Sequence, residues 1–187
     1  MLFMGEEYAE TSPFRYFVSH GDEELIRNVR DGQRKEVEHF KWPGTDSHSP
    51  ETFLRSELRW EQREDARYEL LLSFDTKLLE HRRKVRAFSH LDKRSSQAAM
   101  FEPSALIVER WNDEDRIVIF FNFDPNPARL ICSIDPGIWK RQLGAADSRW
   151  GRARNPTPSV LDATDPVTLD VAATSFSLFH LDEGVPH

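Results

Sequence analysis

The first eight residues, MLFMGEEY, constrain the fold more than any other stretch of this chain. Four apolar residues, Met1 to Met4, are followed at once by Gly5, two carboxylates and Tyr8. An apolar run that ends in this way is typical of a buried strand whose C-terminal end opens onto a site, as at the top of a (β/α)8 barrel. A buried parallel strand needs a neighbouring strand on each side. We therefore expect the chain to be the final part of a larger protein.

The composition limits the class of protein. The chain has 187 residues, of which 30% are charged and 39% hydrophobic, and this is a globular composition. A net charge of -7 without a Lys/Arg stripe argues against a nucleic-acid partner. Cys132 is the only cysteine, so an internal disulfide is impossible and a reducing cytoplasm fits. No apolar run approaches a membrane span, and Met1 to Met4 is too short for a signal peptide. We expect a cytoplasmic protein that does not bind membranes.

Helix signals dominate the first half. Asp22 precedes EELIRNVRDGQRKEVEHF, and an Asp cap followed by two glutamates predicts a helix N-terminus. Gly32 is expected to divide this segment into two helices, because glycine costs ~1 kcal/mol relative to alanine in a helix interior. Residues 43–50 predict a loop. The longest predicted helix runs from Glu64 to Phe88, and its apolar residues recur at steps of three and four. They are Tyr68, Leu71, Leu72, Leu78, Leu79, Val85 and Phe88.

The pattern changes to strands near residue 90, after the polar segment 89–97. Short β-branched and aromatic segments alternate with Pro, Gly and Asp turns, which is typical of an antiparallel sandwich. The predicted strands are residues 105–111, 116–123, 129–134, 167–172 and 175–180. Residues 116–123 are apolar on both faces, which predicts a central strand covered on both sides. We expect Ile117, Ile119 and Phe121 on one face, and Val118, Phe120 and Phe123 mainly on the other.

A long part of the sequence resembles a known family. GEEYAETSPFRYFVSHGDEELIRNVRDGQRKEVEHFKW, residues 5–42, closely resembles the segment of maltooligosyltrehalose trehalohydrolases that begins at the last barrel strand. The resemblance continues through FLRSELRW (53–60) and LLSFDTKLLEHRRKVRAF (71–88), and it weakens after about residue 90. WPGTDSHSP (42–50) departs from the family, which usually has a Glu after the Gly and a more acidic loop. These enzymes belong to the alpha-amylase family of glycoside hydrolases.

The resemblance implies an α+β fragment with two parts. Residues 1–90 would be the end of the catalytic barrel, with its last strand and following helices, and residues 91–187 an antiparallel C-terminal β-sandwich domain. The resemblance implies a parent enzyme that hydrolyses the α-1,4 bond next to the trehalose end of maltooligosyltrehalose and so serves trehalose biosynthesis. The implied partners are maltooligosyltrehalose or another α-glucan, and the upstream part of the parent enzyme.

The resemblance also implies where a site lies. Glycoside hydrolysis needs two carboxyl groups about 5 to 10 Å apart, and the family takes its catalytic carboxylates from earlier barrel strands. We therefore expect no catalytic residue here. Glu6 and Glu7 are adjacent and would point apart on an extended backbone. The family has a Gly-x-Glu near its substrate cleft, which implies substrate-binding positions at Gly5, Glu7 and Tyr8. For Glu7, a role in supporting the site is favoured over a direct contact with the sugar.

Other candidate residues have simpler structural explanations. The aromatics Tyr8, Phe14, Tyr16 and Phe17 could wall a sugar subsite, although packing over the barrel end is favoured. Trp139 and Trp150 could form an exposed starch-binding pair, although buried tryptophan is the commoner outcome. His20 beside Asp22 could suggest a metal, but the cap explains Asp22, and no HxxxH or HExxH spacing occurs. Cys132 is expected in the core. We expect neither a metal nor a cofactor.

Three hypotheses for the chain stay open. The first is a truncated family member without hydrolase activity of its own. The second is a stand-alone, non-catalytic module that binds α-glucan or has a regulatory role. The third is a subunit that completes a split enzyme by docking onto a separately made barrel. An unpaired apolar strand at residues 1–4 would favour the first or the third, because such an edge is an aggregation template.

Overall fold

The computed structural model describes residues 2–40, 46–90, 92–101, 104–152 and 156–182; the side chains of Val37, Glu38 and Phe40 lie outside this description. The chain divides into two compact units, residues 1–72 and 73–187. We call them the helical unit and the β unit. The domain boundary expected near residue 90 stays a prediction.

The helical unit contains α1 (Glu23–Phe40), α2 (Pro50–Leu54) and the first part of α3 (Ala66–Lys84). Short 3-10 helices cover Glu6–Tyr8 and Trp60–Glu64. None of the residues described in this unit lies in a β-strand. Trp42 and residues 43–45 of the predicted loop lie outside the described residues, and Asp46 to Ser49 form its non-helical end.

The start of α1 is confirmed, whereas the break at Gly32 is wrong. The backbone N–H of Leu25 donates to Asp22 Oδ1 at 2.8 Å, so Asp22 is the N-cap. The helix then continues through Gly32 without interruption. A cost of ~1 kcal/mol is small beside the hydrogen bonds that the rest of an 18-residue helix makes. Glycine propensity alone therefore does not end this helix.

The single helix predicted over 64–88 is wrong at both ends. Residues up to Glu64 form the 3-10 helix, and α3 begins only after Asp65, whose Oδ1 accepts a hydrogen bond from the Arg67 N–H at 3.1 Å. Val85 has an extended backbone (φ -87°, ψ 116°) and separates α3 from the short helix α4 (Arg86–Ser89). A β-branched residue favours that conformation. The apolar periodicity continues across both breaks because the chain forms a helix again after each one.

The second half of the chain is an antiparallel sandwich, as expected. Its strands are β1 (Ser96–Phe101), β2 (Ala105–Trp111), β3 (Arg116–Asn122), β4 (Ala128–Cys132), β5 (Ile138–Gly144), β6 (Val160–Asp162), β7 (Val167–Val171) and β8 (Ser175–Leu181). One sheet has the order β1-β2-β3-β8-β5-β6, and the other pairs β4 with β7. Side chains from both sheets meet in one core, which contains Phe120, Trp139, Leu169 and Phe179.

The position of β3 is confirmed as central, since β2 and β8 flank it. Val118 and Phe120 point into the core between the sheets. Ile117 and Ile119 point to a second cluster on the opposite face, where Ala87 of α4 and Leu78 of α3 cover the sheet. Both faces are therefore packed, as the apolar pattern predicts.

Phe123 departs from the expected arrangement. The strand pattern predicts that it shares a face with Val118 and Phe120, but it lies beyond the end of β3, is 62% exposed and stacks on Phe121 at 5.9 Å. Alternation explains this, because residues an even number of positions apart share a face and Phe121 and Phe123 have the same parity. Asn122 takes the core side instead, and its side-chain amide donates to the Asn126 and Ala172 carbonyls.

Three strands have no counterpart in the sequence prediction. β1 begins in the last two residues of the polar segment 89–97 and continues to Phe101, and it is largely exposed. In β5 a register shift between Arg141 and Leu143 interrupts the alternation on which strand prediction depends. β6 has only three residues, too few to give a pattern. Among the described helices, none combines the length and apolar composition needed to cross a membrane.

Candidate functional site

The N-terminal segment forms a tight turn, and the strand expected at its start is not formed in this structure. Leu2 and Phe3 lie outside regular structure, and Glu6–Tyr8 is a 3-10 helix. Gly5 precedes this helix with φ +79°, and its carbonyl accepts hydrogen bonds from the Tyr8 and Glu10 N–H groups at 3.2 and 3.0 Å. A strand needs a paired neighbour, and the helical unit offers none within its described residues. The backbone therefore satisfies its own polar groups locally.

A buried carboxylate, Glu10, organises this turn. Its side chain is only 2% exposed, and it accepts hydrogen bonds from four donors. Two are the backbone N–H groups of Thr11 and Ser12, each at 2.7 Å, and the third is the Arg59 N–H at 2.8 Å. The fourth is the Tyr8 hydroxyl at 3.1 Å. Glu10 thus joins the N-terminal turn to the segment just before Trp60.

Two opposing effects act on the ionisation of Glu10. Burial alone would raise the pKa of this carboxyl, because a charge loses hydration in the interior. Hydrogen bonds from the Ser12, Arg59 and Thr11 N–H groups and from Tyr8 stabilise the charged form, and they lower the pKa from 4.5 to about 2. A carboxylate with this pKa stays ionised at neutral pH and cannot act as a general acid.

Tyr8, one of the three predicted substrate-binding positions, is fully buried. Burial and the hydrogen bond to Glu10 both raise the pKa of its phenol above the ordinary value. Its ring lies 6.3 Å from the Trp60 ring, at an interplanar angle of 40°. In this arrangement the Tyr8 side chain supports the turn and Trp60, and the exposed aromatic group is Trp60.

The structure brings Gly5 and Tyr8 together and leaves Glu7 apart. A Cβ at Gly5 would lie 2.9 Å from the Tyr8 hydroxyl. Glu7 is half-buried, and it forms no hydrogen bond or ion pair with the described residues. Glu6 and Glu7 lie on a 3-10 helix rather than on the extended backbone expected from the sequence. The assignment of substrate binding to Gly5, Glu7 and Tyr8 stays a prediction.

A surface cleft of about 620 Å³ lies beside this turn. Residues 11–13, 54–55 and 57–61 line it. Trp60 is 52% exposed there, and the Arg63 guanidinium carbon lies 4.7 Å from the centre of its ring. Glu10 and Arg59 have no sequence signal that marks either of them for a role. Their contact spans 49 positions of sequence, so no local pattern could have revealed it.

The aromatic cluster expected from Tyr8, Phe14, Tyr16 and Phe17 is not formed as one group. Phe14 contacts Phe3 at 5.2 Å, and Phe17 contacts Phe53 at 5.1 Å. Burial is confirmed for Tyr8 alone, since Phe14, Tyr16 and Phe17 are exposed. The irregular segment 11–20 gives these rings few partners within the helical unit.

In the β unit, the expectations for core residues are confirmed. Trp139 is fully buried, and its indole N–H donates to the Asp135 carbonyl at 2.9 Å, so an exposed Trp139–Trp150 pair is excluded. Trp150 is half-buried against Phe74. Cys132 is buried, and burial raises the pKa of its thiol to about 11. Across the described part of the chain, no group of three or more His, Cys, Asp or Glu side chains is placed to hold a metal ion.

Comparison with known proteins identifies the family. No family model matches the chain. Over 133 residues, covering 70% of this chain and 22% of the relative, it is 32% identical to the malto-oligosyltrehalose trehalohydrolase of Rhizobium sp. (strain M-11). Over 83 residues, covering 44% of this chain and 13% of the relative, it is 41% identical to the malto-oligosyltrehalose trehalohydrolase of Saccharolobus solfataricus. The chain belongs to the malto-oligosyltrehalose trehalohydrolase family.

A solved structure shows the same relationship at the level of the fold. The chain superimposes on a Salmonella typhimurium protein described as an alpha amylase with a TM-score of 0.70 and 24% sequence identity. The match covers 96% of this chain and 27% of that one. The trehalohydrolase-family chain therefore shares the fold of part of that protein, and it spans less than a third of the length of each of these relatives.

Two glycines of this trehalohydrolase-family chain give opposite predictions. Gly5→Ala is expected to destabilise the helical unit by about 1–2 kcal/mol or more, because a left-handed φ penalises a side chain. The new Cβ would also lie 2.7 Å from Glu10 Cβ. Gly32→Ala is expected to stabilise the unit by about 0.4–1 kcal/mol, since nothing lies within 4 Å of the new methyl group. Urea unfolding followed by helix circular dichroism measures both, and equal shifts in the same direction would contradict the assignment.

Proposed function

We propose that this chain is the C-terminal part of a glycoside hydrolase that releases trehalose from maltooligosyltrehalose. Its role would be to support the substrate cleft, while the bond-breaking carboxylates come from the part of the enzyme that precedes it. The observation that carries the proposal is the 32% identity to the Rhizobium trehalohydrolase over 70% of the chain. The chain matches only 22% of that relative, so the activity of the whole protein is extended to it here as a proposal.

The state of the N-terminal carboxylates supports a non-catalytic role. Hydrolysis requires one carboxyl group that can donate a proton and a second that can act as nucleophile or base. Glu10 is fully engaged by four donors and stays ionised, so it serves the structure of the turn. Glu7 is half-buried and unpaired within the described residues. We propose that Gly5 and Tyr8 shape the turn and that Glu7 supports the edge of the substrate cleft.

Exposed apolar side chains support the proposal that the helical unit is a barrel remnant. Monomeric proteins rarely expose large contiguous apolar patches, and such patches mark surfaces that pack against something else. The helical unit exposes many large apolar side chains on its described residues. They include Leu2, Phe3, Phe14, Tyr16, Phe17, Phe53, Leu70 and Leu71. In the parent enzyme these residues would pack against the preceding strands and helices of the barrel.

The purified chain is expected to release neither trehalose nor reducing sugar from maltooligosyltrehalose or maltoheptaose. The physical reason is that the catalytic pair of carboxyl groups is proposed to lie in the part of the enzyme that precedes this chain. Chromatographic detection of trehalose after long incubation is the measurement. Turnover that Glu7→Gln abolishes would contradict the proposed supporting role of Glu7.

A docking subunit of a split enzyme is a second candidate, and the same exposed apolar residues favour it. Mixing the chain with the Rhizobium trehalohydrolase lacking its matched 133-residue segment tests this candidate. Co-elution on size exclusion together with restored trehalose release would support docking. Leu2→Lys should weaken docking, because it places a charge in an apolar contact. Failure to co-elute at micromolar concentrations would remove this candidate and leave the C-terminal assignment untouched.

A further inference from the structure

We propose that Trp60 is the aromatic platform of an α-glucan subsite in the cleft beside the N-terminal turn. This inference rests on the proposed function, and it adds the residues that contact the sugar. Trp60 is 52% exposed, and it lines a cleft of about 620 Å³. That volume lies within the range of roughly 300–1,000 Å³ found for small-ligand sites.

The Trp60 ring is held in place while it stays exposed. The Arg63 guanidinium lies over the ring at 4.7 Å, and the buried Tyr8 ring lies 6.3 Å away. The Arg63 side-chain Nε also donates to the Trp60 carbonyl at 3.2 Å, which fixes the cation relative to the backbone of the same residue. An exposed aromatic ring that is positioned by its neighbours loses little rotamer freedom when a ligand stacks on it. A sugar presents an apolar C–H face that such a ring can cover.

Polar groups around the ring suit a ligand rich in hydroxyl groups. Glu57 and Glu61 line the cleft on either side of Trp60 in sequence. Their carboxylates form no hydrogen bond or ion pair with the described part of the chain. Both can therefore accept hydrogen bonds from sugar hydroxyls. Sites that bind small ligands usually combine an aromatic surface with a few polar groups that orient the ligand.

Glu10 acts as a positioning residue for this platform. It accepts the N–H of Arg59, the residue immediately before Trp60, at 2.8 Å. The Arg59 side chain also lies 3.5 Å from Glu10 and donates to the Thr11 hydroxyl. Three contacts therefore hold Arg59, and with it the backbone next to Trp60, against Glu10 and Thr11. Thr11 lines the cleft. The carboxylate itself is buried and does not reach the ligand.

The test is a titration of the intact 187-residue chain with maltoheptaose, followed by NMR of the tryptophan indole N–H groups. Trp60→Phe assigns the Trp60 signal. We expect maltoheptaose to shift this signal and cellohexaose, a β-linked glucan, to leave it in place. Trp60→Ala is expected to weaken binding about tenfold or more, because the loss of aromatic stacking and buried area is worth on the order of 1.4 kcal/mol.

The matched control is Phe53→Ala. Phe53 is an aromatic residue of the same unit, 48% exposed, and it lies outside the lining of the cleft. It should leave the affinity unchanged within a factor of two. Trp60→Phe should retain most of the affinity because it retains a stacking face.

The outcomes separate this inference from the proposed function. Binding that is lost in Trp60→Ala and kept in Phe53→Ala supports the platform. Binding of maltoheptaose that survives Trp60→Ala, or that Phe53→Ala abolishes equally, overturns the platform and leaves the glucan-binding role standing. No binding of maltoheptaose to the unmodified chain also overturns the platform, but it leaves the C-terminal assignment standing, because that assignment rests on the identity to the trehalohydrolases. Circular dichroism of each variant, matched to the parent, ensures that a loss of binding is a loss of contact.

Discussion

Replacing Phe120 with alanine is expected to lower the free energy of unfolding of the β unit by about 3–5 kcal/mol. Phe120 is fully buried between the two sheets, and its ring meets Phe179 edge to face at 5.8 Å. The substitution removes this contact and leaves a cavity in a strand that neighbours hold on both sides, so the surroundings have little freedom to collapse. Urea unfolding monitored by the fluorescence of the buried Trp139 is the measurement.

Phe123→Ala is the matched control, since it makes the same chemical change three positions along the chain. Phe123 is 62% exposed and contacts Phe121 by stacking. The expected loss is less than about 1 kcal/mol. If the two variants were equally destabilised, Phe120 could not be the more buried residue, and the register of β3 against β8 would be wrong.

Glu10→Gln is expected to destabilise the helical unit by about 1.5–3 kcal/mol at pH 7, the range for hydrogen bonds to a charged group. The substitution keeps the size of the side chain and removes its charge. It also turns an amide NH2 group toward a site where three of the four partners are backbone N–H groups, which cannot accept a hydrogen bond. Native-state hydrogen exchange of the Ser12 and Arg59 amides, which donate to Glu10, should report the loss directly.

The same carboxylate predicts a pH dependence with a definite sign. Its pKa is about 2 in the folded chain, against an ordinary value of 4.5. The folded state thus holds the charged form more strongly than the unfolded state does. The stabilisation is fully present above about pH 4.5 and is lost as pH falls toward 2. In Glu10→Gln, stability should fall less steeply over that interval than in the parent chain.

Glu6→Gln is the control for both measurements. Glu6 is exposed at the start of the same turn and makes no side-chain hydrogen bond with the described residues. Its substitution should change stability by no more than about 0.5 kcal/mol. If Glu10→Gln behaves like Glu6→Gln, the buried carboxylate does not hold the turn, and its positioning role for Trp60 fails with it.

Elements whose signals are local were predictable from the sequence. The Asp22 cap fixed the start of α1 because its hydrogen-bond partner is only three residues away. β2 matched its predicted range of 105–111 because its alternation is regular. β3 was recognised as central because a strand that is apolar on both faces must be covered on both. The family was also recognisable, because the N-terminal motif extends over nearly forty positions.

Elements that depend on distant partners were not predictable. β5 contains a register shift that only its pairing with β8 reveals. The ring of Tyr8 looked like a candidate sugar contact, yet it is buried under Trp60 and bonded to Glu10. Glu10 itself resembled any exposed glutamate, since the donors that bury it include a backbone group 49 residues away.

The sequence by itself therefore determined the cap at the start of α1, the central position of β3 and the family to which the chain belongs. These features depend on neighbours within a few residues, where backbone geometry fixes which side chains share a face. The tertiary structure alone decided which carboxylate is buried and which aromatic ring is exposed. Burial depends on what the rest of the fold places above a side chain, and at Glu10 that is Arg59, a residue that no local pattern connects to it.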